Sequence, residues 1–251
     1  PTMPASHRNF PGDLNGVYDK LSLKPADVLN VYLIGSRMWG TASISSDHDL
    51  YLVVQGNSPA RNSHFQIPGL NVDATVVGET YFQQRLNDAK LKELSCLWAP
   101  PACKLLERRN FQLVGSAATS GAAAGAVDRA RLGSSLTAGY EKDWTRARKQ
   151  IQGGRLEVGK KVLSHCVRAH LLSLQIVSCG HIVDYEAGKE FVEWLRGTYS
   201  KDWTTYEVEF EDKLAGIRDY VVNSDGAAAV AEAEAEAERE EEGGGGKKGG
   251  G

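Results

Sequence analysis

The chain has 251 residues, 41% hydrophobic and 24% charged, with a formal net charge of −3. That composition is ordinary for a globular protein of one compound domain or two small ones, and it argues against a collagen-like or wholly disordered chain. No uninterrupted apolar run approaches the ~20 residues of a membrane span, the opening residues carry no secretory signal pattern, and the seven Glu from residue 226 onward outweigh three basic residues there, so the rest of the chain is close to neutral. A near-neutral body excludes wholesale nucleic-acid binding by overall charge while leaving room for a local basic groove.

Residues 1–25 mix Pro, Gly, Asn and Asp with little periodicity and read as an N-terminal arm. Val31 to Ile34 are apolar and β-prone, as in a short buried strand. Gly35 permits backbone angles that a side chain forbids, and Ser36 is placed to open a helix as its N-cap. Backbone N–H groups at such a turn attract phosphate oxygens. Arg37 adds positive charge, and Gly40 lets the chain turn again.

Leu50 to Val54 form the body of a second strand, with Asp47 and Asp49 at its entry. Residues two apart in a strand face the same side, roughly 6.6 Å apart along the chain. Two carboxylates so placed can share a pair of Mg²⁺ (or Mn²⁺) ions, which favour hard oxygen ligands and substrate phosphates. Two such ions stabilise the attacking and leaving oxygens of a phosphoryl displacement. Asp73 lies inside a third apolar run, Leu70 to Val77, where an unpaired charge is costly. If this strand lies beside the second, Asp73 completes the metal site and can take a proton from an attacking hydroxyl.

Downstream, Tyr81 to Leu97 reads as one helix ended before Pro100-Pro101, and Leu105 to Val114 as a further strand. The Ala-, Gly- and Ser-rich stretch 116–126 reads as a connection between subdomains. Val127 to Gln152 is a helix with Leu132, Leu136, Tyr140 and Trp144 every four residues, stopped by Gly153-Gly154. Leu156 to Cys179 is the next helix, on which Lys161, His165 and Arg168 share one face. That stripe invites an anionic partner if the helix lines a cleft opposite the carboxylates. Glu190 to Arg196 and Val208 to Val222 complete a helical bundle, with Arg196 placed either to reach such a cleft or to cap the C-terminus of its own helix. Residues 226–251 are low in complexity, have almost no large apolar side chains and cannot build a core. Cys96, Cys103, Cys166 and Cys179 fit no zinc spacing and read as reduced, intracellular thiols.

Gly35-Ser36, a short gap, Asp47-x-Asp49 and a distant Asp73 resemble the signature of the DNA polymerase beta nucleotidyltransferase superfamily. The stretches Gly35-Ser36-Arg37-x-x-Gly40 and Ser46-Asp47-x-Asp49-Leu50 are similar to its RlaP-type branch, named for an association with RNA repair. Further pieces resemble that branch: Lys92-Glu93-Leu94 before Pro100-Pro101, Lys161-x3-His165-x2-Arg168, and Leu195-Arg196-Gly197. Two residues depart from the pattern or sit awkwardly in it. His48 stands between the aspartates where an apolar residue is usual, and should point away from the metal face. Trp39 is bulky for a turn closing over phosphates, and either stacks on a base or packs against the sheet.

The resemblance implies an α+β fold: a small mixed β-sheet core with helices over residues 26–115, then a helical subdomain over 116–225. It implies transfer of a nucleoside monophosphate from an NTP to a hydroxyl, with pyrophosphate released. Asp47, Asp49 and Asp73 would hold metal and carry catalysis; Gly35, Ser36, Arg37, Lys161, His165 and Arg168 would bind the nucleotide. An RNA end is the acceptor that the RlaP-like features favour. A protein hydroxyl receiving AMP is the second enzyme reading, and a nucleotide-binding or antitoxin-like module the reading outside catalysis. Either way the expected setting is the cytoplasm, with no membrane partner.

Overall fold

In the computed structural model, residues 10, 12–56, 63–114 and 127–223 are described. The 116–126 connection, the acidic tail and residues 1–9 and 11 of the N-terminal arm lie outside them. The fold is α+β. A five-stranded mixed sheet runs in the order β3-β4-β2-β1-β5. Its strands are β1 (Val28–Ile34), β2 (His48–Val54), β3 (Ser63–Ile67), β4 (Val72–Gly78) and β5 (Lys104–Glu107). Only β2 and β4 run parallel; the other neighbours are antiparallel. The central strands are buried on nearly every residue, which is why they read as continuous apolar runs in the sequence.

Several expectations are corrected. The N-terminal arm contains a helix, α1 (Leu14–Lys20), capped by the Asp13 side chain and burying Val17 and Tyr18. The helix expected over Tyr81–Leu97 is two: α3 (Glu79–Asn87) and α4 (Leu91–Leu97). The break sits where Ala89 adopts φ +50°, left-handed, with its side chain 1% exposed in the core. No Gly or Pro marks it, so the periodicity runs through unbroken. The strand expected over Leu105–Val114 is confined to the four residues of β5, and β3, at the sheet edge, was not anticipated. Its alternation of half-buried and exposed residues leaves little apolar signal.

The C-terminal half comprises α5 (Arg129–Gln152), α6 (Leu156–Cys179), α7 (Lys189–Gly197) and α8 (Thr204–Val222). Preceding them, after the sheet's Ile34, a single helical turn, α2 (Gly35–Met38), returns the chain toward β2. Among the described residues the apolar side chains form two cores. One gathers the sheet, α1, α3 and α4 together with Leu132 and Leu136 of α5 and Leu172, Ile176 and Val177 of α6. The other lies within the helices around Trp144, Leu163, Val167, Trp203, Tyr206 and Phe210. By length and composition α6 passes for a membrane span, a point its interspersed charges concealed in the sequence, yet its apolar residues are divided between these two cores.

Candidate active site

The parallel register of β2 and β4 sets Asp49 directly beside Asp73. Asp47 precedes β2 by one residue, and one ligand oxygen from each of the three carboxylates lies within 4.8 Å of the other two. Asp73 also meets His64 across the sheet edge, but at 3.8 Å and with His64 58% exposed; this loose contact leaves Asp73 in the cluster.

Gly35 is required next to them. Its φ is +68°, and a Cβ there would stand 1.9 Å from Asp49 Oδ2. The absent side chain is the space the carboxylate occupies. Helix α2 starts at Gly35 with Ile34 in the cap position, so Ser36 lies in its first turn and is not the N-cap. Gly40 also takes a positive φ, +64°, and a Cβ on it would press against Glu186 at 2.8 Å.

Gly35, Ser36, Asp47 and Asp49 line a cleft of about 620 Å³, with Asp73 beside it. Across the cleft, the four lining residues face Lys92 of α4, Lys160, Lys161, His165 and Arg168 of α6, and Arg196 of α7. Lys161, His165 and Arg168, singled out by spacing, therefore do line the same space as the Gly-Ser turn and two of the aspartates. Arg37 does not. Its Nε donates to the Asp47 carbonyl (3.0 Å) and its Nη2 to the Ser46 carbonyl (2.6 Å). The expected phosphate-orienting role of Arg37 thus gives way to a hold on backbone.

Trp39 lines the cleft with its ring stacked on Tyr185 at 5.4 Å and the Arg168 guanidinium 5.2 Å from its centroid. That arrangement packs the turn on Arg168 of α6 and on Tyr185 in the connection after it, a contact that differs from both expected roles, stacking on a base and packing against the sheet. Cation–π contact of this kind also fixes where the Arg168 charge sits. His48 is buried, with its ring edge-on to Phe10 at 5.3 Å. Burial, then the Arg37 charge, lowers its pKa, which suits a neutral packing residue facing away from the carboxylates.

Charge on the two walls is unbalanced in a way that favours ligands. Burial, then the Asp47 charge, pushes Asp49 up to about 6, with Asp73 adding to the rise and Lys161 and Lys92 opposing it. Arg168 is lowered to about 10 by burial and by Arg196, and stays protonated at neutral pH. His165 touches the solvent of the open cleft, yet the enclosing walls and then Arg168, Lys161 and Arg146 push it down to about 4. Its imidazole is neutral at pH 7 and can donate or accept one hydrogen bond without adding charge.

Sequence reasoning missed Lys160 as a cleft residue. It is 4% exposed, pairs with Glu157 at 3.0 Å and neighbours Lys161. Spacing concealed it, because position 160 falls beside the stripe and not in it. Lys92 appeared only as part of a resemblance; its ammonium sits 4.5 Å over the Tyr51 ring and acts on Asp49.

No family model and no curated protein matches the chain. A solved structure described as a nucleotidyltransferase-like protein, from Exiguobacterium sibiricum 255-15, is similar over 84% of this chain and 73% of its own, at 14% identity and a TM-score of 0.29. A likeness that distant carries no argument, and the functional reading rests on the residues themselves.

Proposed function

We propose that this chain is a divalent-metal-dependent nucleotidyltransferase, moving a nucleoside monophosphate from an NTP to a hydroxyl acceptor. One observation carries the reading: three converging carboxylates stand in and beside a cleft whose opposite wall is cationic. The donor set is three hard oxygens, and burial, then the Asp47 and Asp73 charges, raise the Asp49 pKa, a strain that a bound cation relieves. Both fit Mg²⁺ or Mn²⁺ held by Asp47, Asp49 and Asp73. When bound, such ions supply charge stabilisation for the attacking and leaving oxygens.

The chain's own residues do the rest. Lys161, Arg168 and Arg196 bind the phosphate tail and Lys92 adds to the field. Ser36 and the Gly35 turn meet the phosphates from the sheet side, and His165 gives a neutral hydrogen bond. Asp73 takes the proton of the acceptor hydroxyl. The acceptor oxygen bonds to the α-phosphorus, the bond from that phosphorus to the α,β-bridging oxygen breaks, and pyrophosphate leaves with the electron pair. The RlaP-like features favour an RNA end as acceptor. A protein hydroxyl is the second reading, favoured by the near-neutral charge of the body.

Incubation with each labelled NTP, Mg²⁺ or Mn²⁺, and either pooled RNA or protein extract tests the reading. Label on RNA that vanishes in Asp47→Ala and Asp49→Ala supports it; label on protein selects the second acceptor. NTP binding without transfer under any of these conditions would replace both with a nucleotide-binding module.

A further inference from the structure

The three carboxylates are held in different ways. Asp49 and Asp73 lie in the β2–β4 ladder, directly paired. Asp47 lies one residue before β2, where no ladder fixes it. What meets its backbone is Arg37, 8% exposed, whose Nε and Nη2 donate to the successive carbonyls of Asp47 and Ser46. Burying a guanidinium is costly, so these bonds answer a need of this turn that a smaller side chain would not meet. The planar fork can reach two neighbouring carbonyls in one fixed geometry, which a lysine ammonium cannot.

A second residue grips the same turn from the other side. Asn71, in the left-handed region at φ +51°, accepts the His48 N–H on its carbonyl at 2.9 Å, and its Nδ2 reaches the Ser46 carbonyl at 3.4 Å. Two residues later the chain arrives at Asp73. The turn bearing Asp47 is therefore tied to α2 on one side and to the lead-in of the Asp73 strand on the other.

We infer that Arg37 is a positioning residue: with Asn71, it clamps the Ser46-Asp47 turn so that the Asp47 carboxylate meets the other two at metal-sharing distance. The inference rests on the metal reading of the three aspartates. It assigns to Arg37 no contact with substrate. Outer groups that orient metal ligands typically govern metal affinity by about 10- to 100-fold. Arg37→Lys is expected to weaken Mn²⁺ binding within that range while the protein keeps its melting temperature. Arg37→Ala should lose affinity likewise and regain it when free guanidinium, but not the same concentration of sodium, is added.

The test is Mn²⁺ titration followed by electron paramagnetic resonance, together with exchange of the His48 amide, held on the Asn71 carbonyl, in metal-free protein. Loss of one charge-assisted bond should speed exchange there by about tenfold or more. Wild-type Mn²⁺ affinity in folded Arg37→Lys, or unchanged exchange of the His48 amide, overturns the clamp. If Arg37→Lys melts early, the decision passes to Arg37→Ala, where failure of guanidinium to restore Mn²⁺ binding overturns it. A wild-type protein that binds no Mn²⁺ overturns the metal reading and the role given to the clamp, while exchange still shows whether the turn is held by Arg37.

Discussion

The two walls of the cleft are built on opposite plans. The acidic wall is set by backbone: a ladder register that pairs Asp49 with Asp73, and a glycine whose missing Cβ leaves room for a carboxylate. The basic wall is carried by long side chains of α4, α6 and α7, fixed by what they pack on, such as Arg168 against Trp39. Carboxylates that must share ions need sub-ångström placement, and ladders supply it. Cations that receive a flexible phosphate tail tolerate more movement, and helical side chains suffice.

The difference sets an order for the effects of substitution. On the acidic wall, Asp49→Asn should reduce label transfer to background and, without metal, raise the melting temperature by a few degrees, because the burial of a charge and then its repulsion with Asp47 and Asp73 are removed. Transfer assays and calorimetry on metal-free protein check both, and a fall in melting temperature would break the idea that the Asp49 charge is strained without metal. Gly35→Ala should cost about 100-fold in transfer, the scale of a roughly 1 Å misplacement of a reacting group. Steady-state kinetics over a range of Mn²⁺ will show whether the loss is recovered by more metal.

The basic wall should be more forgiving. Arg168→Met is expected to raise KM for the NTP by about 10- to 100-fold, the value of a charge-assisted hydrogen bond, with a smaller change in kcat. Equal losses in both would mean that Arg168 acts on the transition state. Lys161→Ala should do two things: weaken NTP binding and, by removing a charge that lowers the Asp49 pKa, move the pH dependence of metal binding upward. That second effect couples the walls.

The pH dependence itself follows from Asp49. Its pKa rises from the ordinary 3.8 to about 6 in the folded chain. Mn²⁺ must displace that proton, so affinity should fall about tenfold per pH unit below pH 6. In metal-free protein the sign is opposite: the folded chain holds the extra proton, so this contribution to stability is fully present below about pH 4 and is lost as pH rises through 6. Metal titrations and thermal melts at matched pH check the pair. The smallest effect belongs to His165→Gln, at most about fivefold on KM, since a neutral imidazole offers one uncharged bond.

Legibility in the sequence follows the same division. The Gly-Ser turn, the Asp-x-Asp and Asp73 lie within 39 residues on runs of apolar β-prone side chains, and the ends of α6 were read correctly from its periodicity and Gly180. The helical parts of the site come from α4, α6 and α7, separated by long stretches of chain, and no local pattern says which lysines converge. Lys160 illustrates this: nothing in its neighbours distinguishes a cleft residue from a solvated one. Arg37 was misread for a related reason. An arginine beside a phosphate-type turn has the right charge for phosphate, and only three dimensions reveal that two carbonyls claim it first. The α3–α4 break escaped because its left-handed residue is alanine, stabilised by burial and not by backbone preference.

Helix α6 places Val162, Leu163 and Val167 in one core and Leu172, Ile176 and Val177 in the other, with the cleft residues Lys161, His165 and Arg168 between and around them. A continuous rod anchored at both ends couples the melting of the two cores. Heating should therefore give a single calorimetric transition, and a cavity made at either end, at Leu163 or at Ile176, should lower the same peak.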